Sequence, residues 1–329
     1  MKALLMANRF SSGLEPLTDS LPDSMVPIMA KPLLERNIIK LKNSGINEII
    51  ISKSLDPRPI EEYFGDGSRL GVKIQYICEA EPLSTGNTIK NTEGFLTDTF
   101  IVFNSNILSN IDLLDLYKFH RQKSAAVTIV TTEVKDPSNY SRLKYDEEGY
   151  VKSFIQESDN INDGPNYINA GIYILEPNVL KEIESGNEIS MEKETFPALL
   201  EKGYPIASYK NDEYWIDIKT IEDYNKIHED VLNGICPLPE YNAESKDIYT
   251  GANTLIHPSV KIIGPVYIGK NANIGAYSTI GPNVVIGNNC KVGINSSVKD
   301  SIVGNNLHIQ AASTVSNIML TLDCALRKS

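Results

Sequence analysis

The chain is short of three things. Its 329 residues include four cysteines, Cys78, Cys236, Cys290 and Cys324, far apart and without a C-x-x-C pair. That spacing excludes a zinc ribbon and a disulfide framework. It leaves four reduced thiols, at least two of them expected inside as small apolar residues. Positive charge is also scarce. Lys and Arg total 31 against 42 Asp and Glu, a net charge of −11, which disfavours a nucleic-acid partner. Long apolar runs are missing too, with nothing near the ~20 residues that span a bilayer. The opening Met1–Met6 is too short for the apolar region of a secretory leader and carries no cleavage site. The expectation is a cytoplasmic protein with no membrane partner.

What is present is a repeat. From Ile256 every sixth residue is aliphatic: Ile262, Ile268, Ile274, Ile280, Ile286, Val292 and Val298 follow. Glycine stands directly after several of them, at 269, 275, 281, 287 and 293. Small or β-branched residues such as Val266, Ala272, Ser278 and Cys290 lie two positions before. A six-residue period is neither helix nor ordinary strand. It marks a left-handed parallel β-helix, three hexapeptides to a coil. Each aliphatic points inward, and the following glycine is expected to permit the corner. The frame slips by one after Val298 and resumes at Val303, Ile309 and Val315, giving three to four coils. His257 and His308 are the histidines that an acyl-transfer site between coils would need; solvated corner positions suit them better.

Residues 1–232 alternate strand-like and helix-like stretches. Ala3–Met6, Glu48–Ser52, Val72–Ile77, Phe100–Phe103 and Ala126–Val130 read as strands. Pro32–Ser44 and Leu113–His120 have the apolar spacing of amphipathic helices. The expected fold is α/β: a Rossmann-like, mixed and mostly parallel sheet over 1–232, with ligands at the carboxyl ends of its strands. A linker over 233–250, the β-helix over 251–319 and a tail or cap over 320–329 complete the order. Charge divides along it, because residues 251–329 carry six Lys or Arg against two Asp or Glu.

Several segments together resemble one family. They are MKALLMA, VPIMAKPLLE, GINEIIIS, EPLSTGNTIKN, DTFIVFNSNIL, YINAGIYILEPNVL and EYWIDIKTIEDYNKIHEDVL. The chain resembles the nucleotide-sugar pyrophosphorylases of the sugar-phosphate nucleotidyltransferase superfamily. Mannose-1-phosphate guanylyltransferases and glucose-1-phosphate adenylyltransferases share its architecture. Such enzymes join a sugar 1-phosphate to a nucleoside triphosphate and release pyrophosphate. Every participant is anionic, so catalysis rests on positioning and on cancelling charge with Mg²⁺, Lys and Arg. The resemblance implies nucleotide contacts from Ala7, Asn8, Leu83, Ser84 and Thr85. It implies sugar contacts from Tyr140, Gln156, Asn169 and Gly171.

The phosphate-handling positions depart from the pattern. The family loop G-G-x-G-T-R-L-x-P-L-T appears as Asn8-Arg9-Phe10-Ser11-Ser12-Gly13-Leu14-Glu15-Pro16-Leu17-Thr18, with Gly13 where the arginine stands. The family lysine of P-K-P is Asp23, and the aspartate of N-G-D is Asn106. The E-K-P that meets the sugar phosphate is Gln156-Glu157-Ser158. Asp217 keeps the second metal-ligand position, and Arg9 is the loop's one guanidinium. No catalytic residue of the phosphate machinery is intact, and no cofactor is required; Mg²⁺ would matter only to residual activity. The sequence therefore points to a pseudoenzyme, a regulatory or assembly subunit of a paralogous catalytic pyrophosphorylase. It would sense a nucleotide sugar or sugar phosphate within a homo- or hetero-oligomer. Two readings stand beside it: an active sugar-1-phosphate nucleotidyltransferase with a rearranged site, and a sugar-binding or structural module.

Overall fold

The computed structural model describes all residues except 8–11, 20, 55–57, 80–83, 156–165, 185–187, 242–247, 323 and 328–329. Contacts divide the chain into two units, one of residues 1–9 and 34–215, the other of residues 10–33 and 216–329.

The first unit is built on a nine-stranded sheet. Its strands are β1 (Lys2–Ala7), β2 (Glu48–Ser54), β3 (Lys73–Glu79), β4 (Phe100–Asn104), β5 (Val127–Glu133), β6 (Arg142–Tyr145), β7 (Val151–Ile155), β8 (Tyr167–Leu175) and β9 (Ile206–Asn211). The order along the main path is β7-β6-β8-β4-β1-β2-β3, with β5 between β8 and β9. Pairings β1 with β2, β2 with β3 and β1 with β4 are parallel, and β8 runs antiparallel to its neighbours. Residues 3–7 of β1 are all buried, as expected of a strand covered on both faces. The register sets Met6 beside Ser52 and Asn104, and Ala7 beside Lys53. The carboxyl ends of these strands thus form one line.

Helix α1 (Leu33–Asn43) buries Leu33, Leu34, Ile38 and Leu41. These are the apolar positions that predicted it. Helix α2 (Thr85–Lys90) follows β3. Helix α3 (Leu113–Lys123) starts at Asp112, whose carboxylate accepts from the backbone N–H of Leu114 at 2.8 Å and of Asp115 at 3.0 Å. It ends at Ser124 in the left-handed region. Helix α4 (Phe196–Glu201) packs Phe196 against Tyr173 of β8, ring centroids 5.3 Å apart. Among the described residues no helix is long and apolar enough to cross a membrane.

In the second unit, helix α5 (Ile221–Leu232) begins with a reciprocal cap between Thr220 and Asp223. The hexapeptide region forms three parallel sheets. Ile256, Ile274, Val292 and Ile309 lie in register on one, Ile262, Ile280, Val298 and Val315 on another. The aliphatic positions fill the interior with Ala272 and Cys290. The first strand of the stack is Ile248–Thr250, inside the stretch read as linker. At the other end Ala325–Arg327 folds back antiparallel on Ile318–Leu320. All four cysteines are free, with Cys236 and Cys290 buried.

The role expected of the glycines holds at Gly281, whose φ is +101°, and is corrected at Gly269, Gly275, Gly287 and Gly293. Left-handed corners fall instead on residues that include Asn271, Asn289, Asn295 and Asn306, these four with φ between 55° and 63°. Asparagine tolerates that region, and its side chain bonds locally. Here the amides of Asn253, Asn271, Asn289 and Asn306 form a ladder with rungs of 3.2, 3.0 and 2.9 Å. Glycine serves a different need. A Cβ on Gly287 would sit 2.6 Å from the Gly304 carbonyl carbon in the next coil. The absence of a side chain lets the coils stack.

Two outcomes follow. Gly287→Val forces the coils apart and costs about 1–3 kcal/mol; Asn289→Gly keeps the corner, loses only ladder bonds, and costs less in the same thermal melts. The second concerns Lys40 on α1, whose pKa burial lowers from 10.5 to about 8, with Asp112 and Glu213 opposing the shift. Below pH 8 both folded and unfolded chains hold this proton, and the fold carries the cost of a half-buried ammonium. Between about 8 and 10.5 only the unfolded chain holds it, so this group's contribution to stability rises with pH. Lys40→Met should therefore stabilise at pH 7 by roughly 2 kcal/mol, with the advantage gone near pH 10.5 in urea titrations.

Candidate functional site

In the first unit the polar groups converge on a carboxylate that the sequence reading did not single out. Glu192 lies in the helical turn Met191–Thr195, which Ser190 caps by accepting from the Glu192 and Lys193 N–H groups. Three hydroxyls donate to Glu192: Tyr173 at 2.7 Å, Ser190 at 2.9 Å and Thr85 at 3.0 Å. Tyr173 in turn accepts from Asn169 Nδ2 at 2.8 Å. The Asn169 Oδ1 takes the Gly171 N–H at 2.9 Å. One chain of hydrogen bonds therefore joins the start of α2, the turn before α4 and the middle of β8.

Gly171 is required where it stands. Its φ is +70°, and a Cβ there would lie 2.5 Å from Asn104 Nδ2. The register of β8 against β5 shifts between Asn169 and Tyr173, and an irregularity of this kind re-aims side chains beside a site. Trp215 Nε1 donates to the Ala170 carbonyl at 3.0 Å, and the Tyr140 ring meets the indole edge-on at 5.7 Å.

A cavity of about 830 Å³ opens beside this network, lined among others by Tyr140, Lys152, Phe154, Glu192, Lys193 and Leu200. Aromatic rings, the carboxylates of Glu192 and Glu201 and two lysines suit a ligand rich in hydroxyls. Lys152 is matched to Asp146 at 2.7 Å.

The nucleotide-side positions divide. Ser84 caps α2 in position, but its hydroxyl goes to the Ile189 carbonyl at 2.6 Å and to Asn87 Oδ1 at 2.7 Å. Thr85 bonds Glu192 and also accepts from the Met191 N–H at 2.9 Å. Ala7 is buried at the end of β1. Beside it lies a cation the sequence reading passed over. Lys53, 1% exposed, pairs with Glu61 at 2.8 Å and donates to Cys78 Sγ at 3.2 Å. Its charge is already answered. Asn8, Leu83 and Gln156, with Arg9, Glu157 and Ser158, fall outside the described residues.

Asn106 is buried in the turn after β4. Ser105 Oγ anchors that turn to the Met6 carbonyl at 2.6 Å, and Asn37 Nδ2 donates to the carbonyls of Ser105 and Ile107 at 3.3 and 3.1 Å.

In the second unit Gly13 sits in a short turn, Ser12–Leu14. A Cβ on it would lie 2.5 Å from the Lys219 carbonyl oxygen. No arginine fits this packing. Asp23 is 3% exposed in the turn Asp23–Met25. The Asp217 carboxylate, 7% exposed, is paired with Lys219 Nζ at 2.5 Å. The residues present do not fit Mg²⁺. Asp217 is engaged by an ammonium, and among the described residues no three His, Cys, Asp or Glu side chains cluster to hold a metal; in the first unit, the amide at 106 is by itself a poor ligand for a hard cation.

Glu192→Ala leaves three hydroxyls without their acceptor and should cost about 2–3 kcal/mol, whereas Tyr173→Phe, which breaks the bond to Glu192 and the one from Asn169, should cost about 1–2 kcal/mol in urea melts.

Comparison with known proteins gives the family. Residues 2–234 match the nucleotidyl transferase family and residues 252–329 the GMPPB C-terminal domain. The chain is 37% identical over 276 residues to a mannose-1-phosphate guanylyltransferase of Mycobacterium tuberculosis, covering 83% of this chain and 76% of that one. It is 32% identical to a UTP–glucose-1-phosphate uridylyltransferase of Synechocystis sp., covering 82% and 74%. HddC from Yersinia pseudotuberculosis superposes with a TM-score of 0.58 at 27% identity, over 69% of this chain and 97% of that one. With its mixed sheet and its C-terminal left-handed β-helix, the chain belongs to the nucleotidyl transferase family, among the nucleotide-sugar pyrophosphorylases.

Proposed function

We propose that this chain is a non-catalytic member of that family, a regulatory or assembly subunit beside a paralogous catalytic pyrophosphorylase. It keeps the sugar-side pocket and binds a nucleotide sugar or sugar phosphate there. The observation that carries the reading is Gly13. The position given by resemblance to the triphosphate arginine has no room for a side chain, because the Lys219 carbonyl lies 2.5 Å from where a Cβ would be. Asp23 supports it, with a carboxylate where the resemblance puts a phosphate-binding lysine, and so does the amide of Asn106. Reversing one charge beside a phosphate shifts the interaction by several kcal/mol at ~4 Å and an effective dielectric near 20. The intact network about Glu192 and Asn169 supports a retained sugar subsite. We assign the chain to the cytoplasm, a reading supported by four free cysteines.

A second reading, an active mannose-1-phosphate guanylyltransferase with a rearranged site, is favoured by the 37% identity to a protein of that name. Pyrophosphate release from GTP and mannose 1-phosphate with Mg²⁺ separates the two. The expected result is release at the blank rate, together with calorimetric binding of GDP-mannose and no binding of GTP. Release that disappears in Asp217→Ala would establish the active reading instead. A chain that binds neither ligand nor a catalytic paralogue would leave only a structural module.

A further inference from the structure

We propose that the Lys219 ammonium is the resident cation of the Asp217 carboxylate, seated by Gly13, and that it shuts divalent metal ions out. The inference deepens the non-catalytic reading, and rests on it only in taking Asp217 as the metal position. Three contacts on either side of residue 219 carry it.

The first is the ion pair, 2.5 Å long, with an acceptor that is 7% exposed. A carboxylate so far from water needs a matched charge. A divalent ion approaching the same oxygens would meet Lys219 as a like charge. The second is the backbone of Lys219. Its N–H donates to Asp223 Oδ2 at 3.1 Å, beside the Thr220 N–H at 3.0 Å, so the residue is fixed to the reciprocal cap of α5. A lysine just before a helix N-terminus faces the positive end of the helix dipole. Asp217 and Asp223 offset that position. The third is the seat. The Lys219 carbonyl occupies the space in which any side chain at 13 would begin. The glycine at 13 and the ammonium on Asp217 are therefore one arrangement: a side chain at 13 would push residue 219 away.

The arrangement leaves the carboxylate neutralised by a group that cannot be removed by chelation. It also withholds the second positive charge that a divalent ion would bring to a phosphate.

The test is Mn²⁺ binding to the full chain, followed by the electron paramagnetic resonance of free Mn²⁺, with no nucleotide or sugar present. Lys219→Met keeps the aliphatic stem and removes the charge. It should bind Mn²⁺ roughly tenfold or more tightly than the wild type, and Asp217→Asn in the same background should abolish the gain. Lys219→Gln, which keeps a donor for Asp217, should show the same gain and serves if the Met variant does not fold. Equal affinity in wild type and both variants overturns the proposal, as does a gain that survives Asp217→Asn. Because no turnover is measured, either result is independent of the pyrophosphate assay: a wild type that binds Mn²⁺ tightly but turns nothing over sinks this inference and leaves the non-catalytic reading standing.

Discussion

A carboxylate drawn wholly or partly out of water is matched by positive charge or by several hydrogen-bond donors. That one requirement organises the polar cluster of each unit. In the first, the half-buried Glu192 is satisfied by three neutral hydroxyls, from Thr85, Tyr173 and Ser190. Elements distant in sequence are drawn onto one acceptor, and the cavity wall beside it is set. In the second, Asp217 takes a cation from two residues along the chain. The first solution keeps a polar surface suited to hydroxylated ligands. The second consumes the charge that phosphate chemistry would use.

The two solutions differ in what they leave open. A hydroxyl network can rearrange around an incoming ligand, because each donor rotates about one bond. An ammonium paired with a buried carboxylate, its backbone held by a helix cap and packed on Gly13, can turn to a ligand only by giving up that pair. On the proposed reading, Asn169 and Gly171 keep the sugar side, while Gly13, Asp23 and Asn106 stand at the phosphate-side positions that the resemblance assigns to an arginine, a lysine and an aspartate. Lys53 repeats the pattern at the end of β2: a buried cation near Ala7 whose partner, Glu61, comes from its own unit.

The β-helix was legible in the sequence because its period is imposed directly by the coil, with every sixth side chain inside and the frame slip after Val298 matching the shorter spacing between in-register Val298 and Val315. The parallel strands at the amino-terminal end were legible for a similar reason, as apolar runs covered on both faces. The hairpin Arg142–Tyr145 and Val151–Ile155 was not, since its strands are short and partly exposed. The glycines were visible but their task was misread: a sequence shows that a side chain is missing, not whether dihedral freedom or close approach is the reason. Glu192 gave only the faint signal of Ser190 ahead of a charged turn, because its partners Thr85 and Tyr173 are distant in the chain. Gly13 read as a lost arginine. That it is a seat for residue 219 follows only from the folded path of the chain.

The last feature of the β-helix has a mechanical meaning. A stack of parallel coils has a direction, like the thread of a screw, and each face ends in an edge of unpaired backbone groups that another copy could continue. The return strand Ala325–Arg327 runs against that direction on the face ended by Ile318–Leu320. It covers the edge and reverses its polarity. On this face the thread is stopped from within, so a further coil of the same sense has nothing to screw onto.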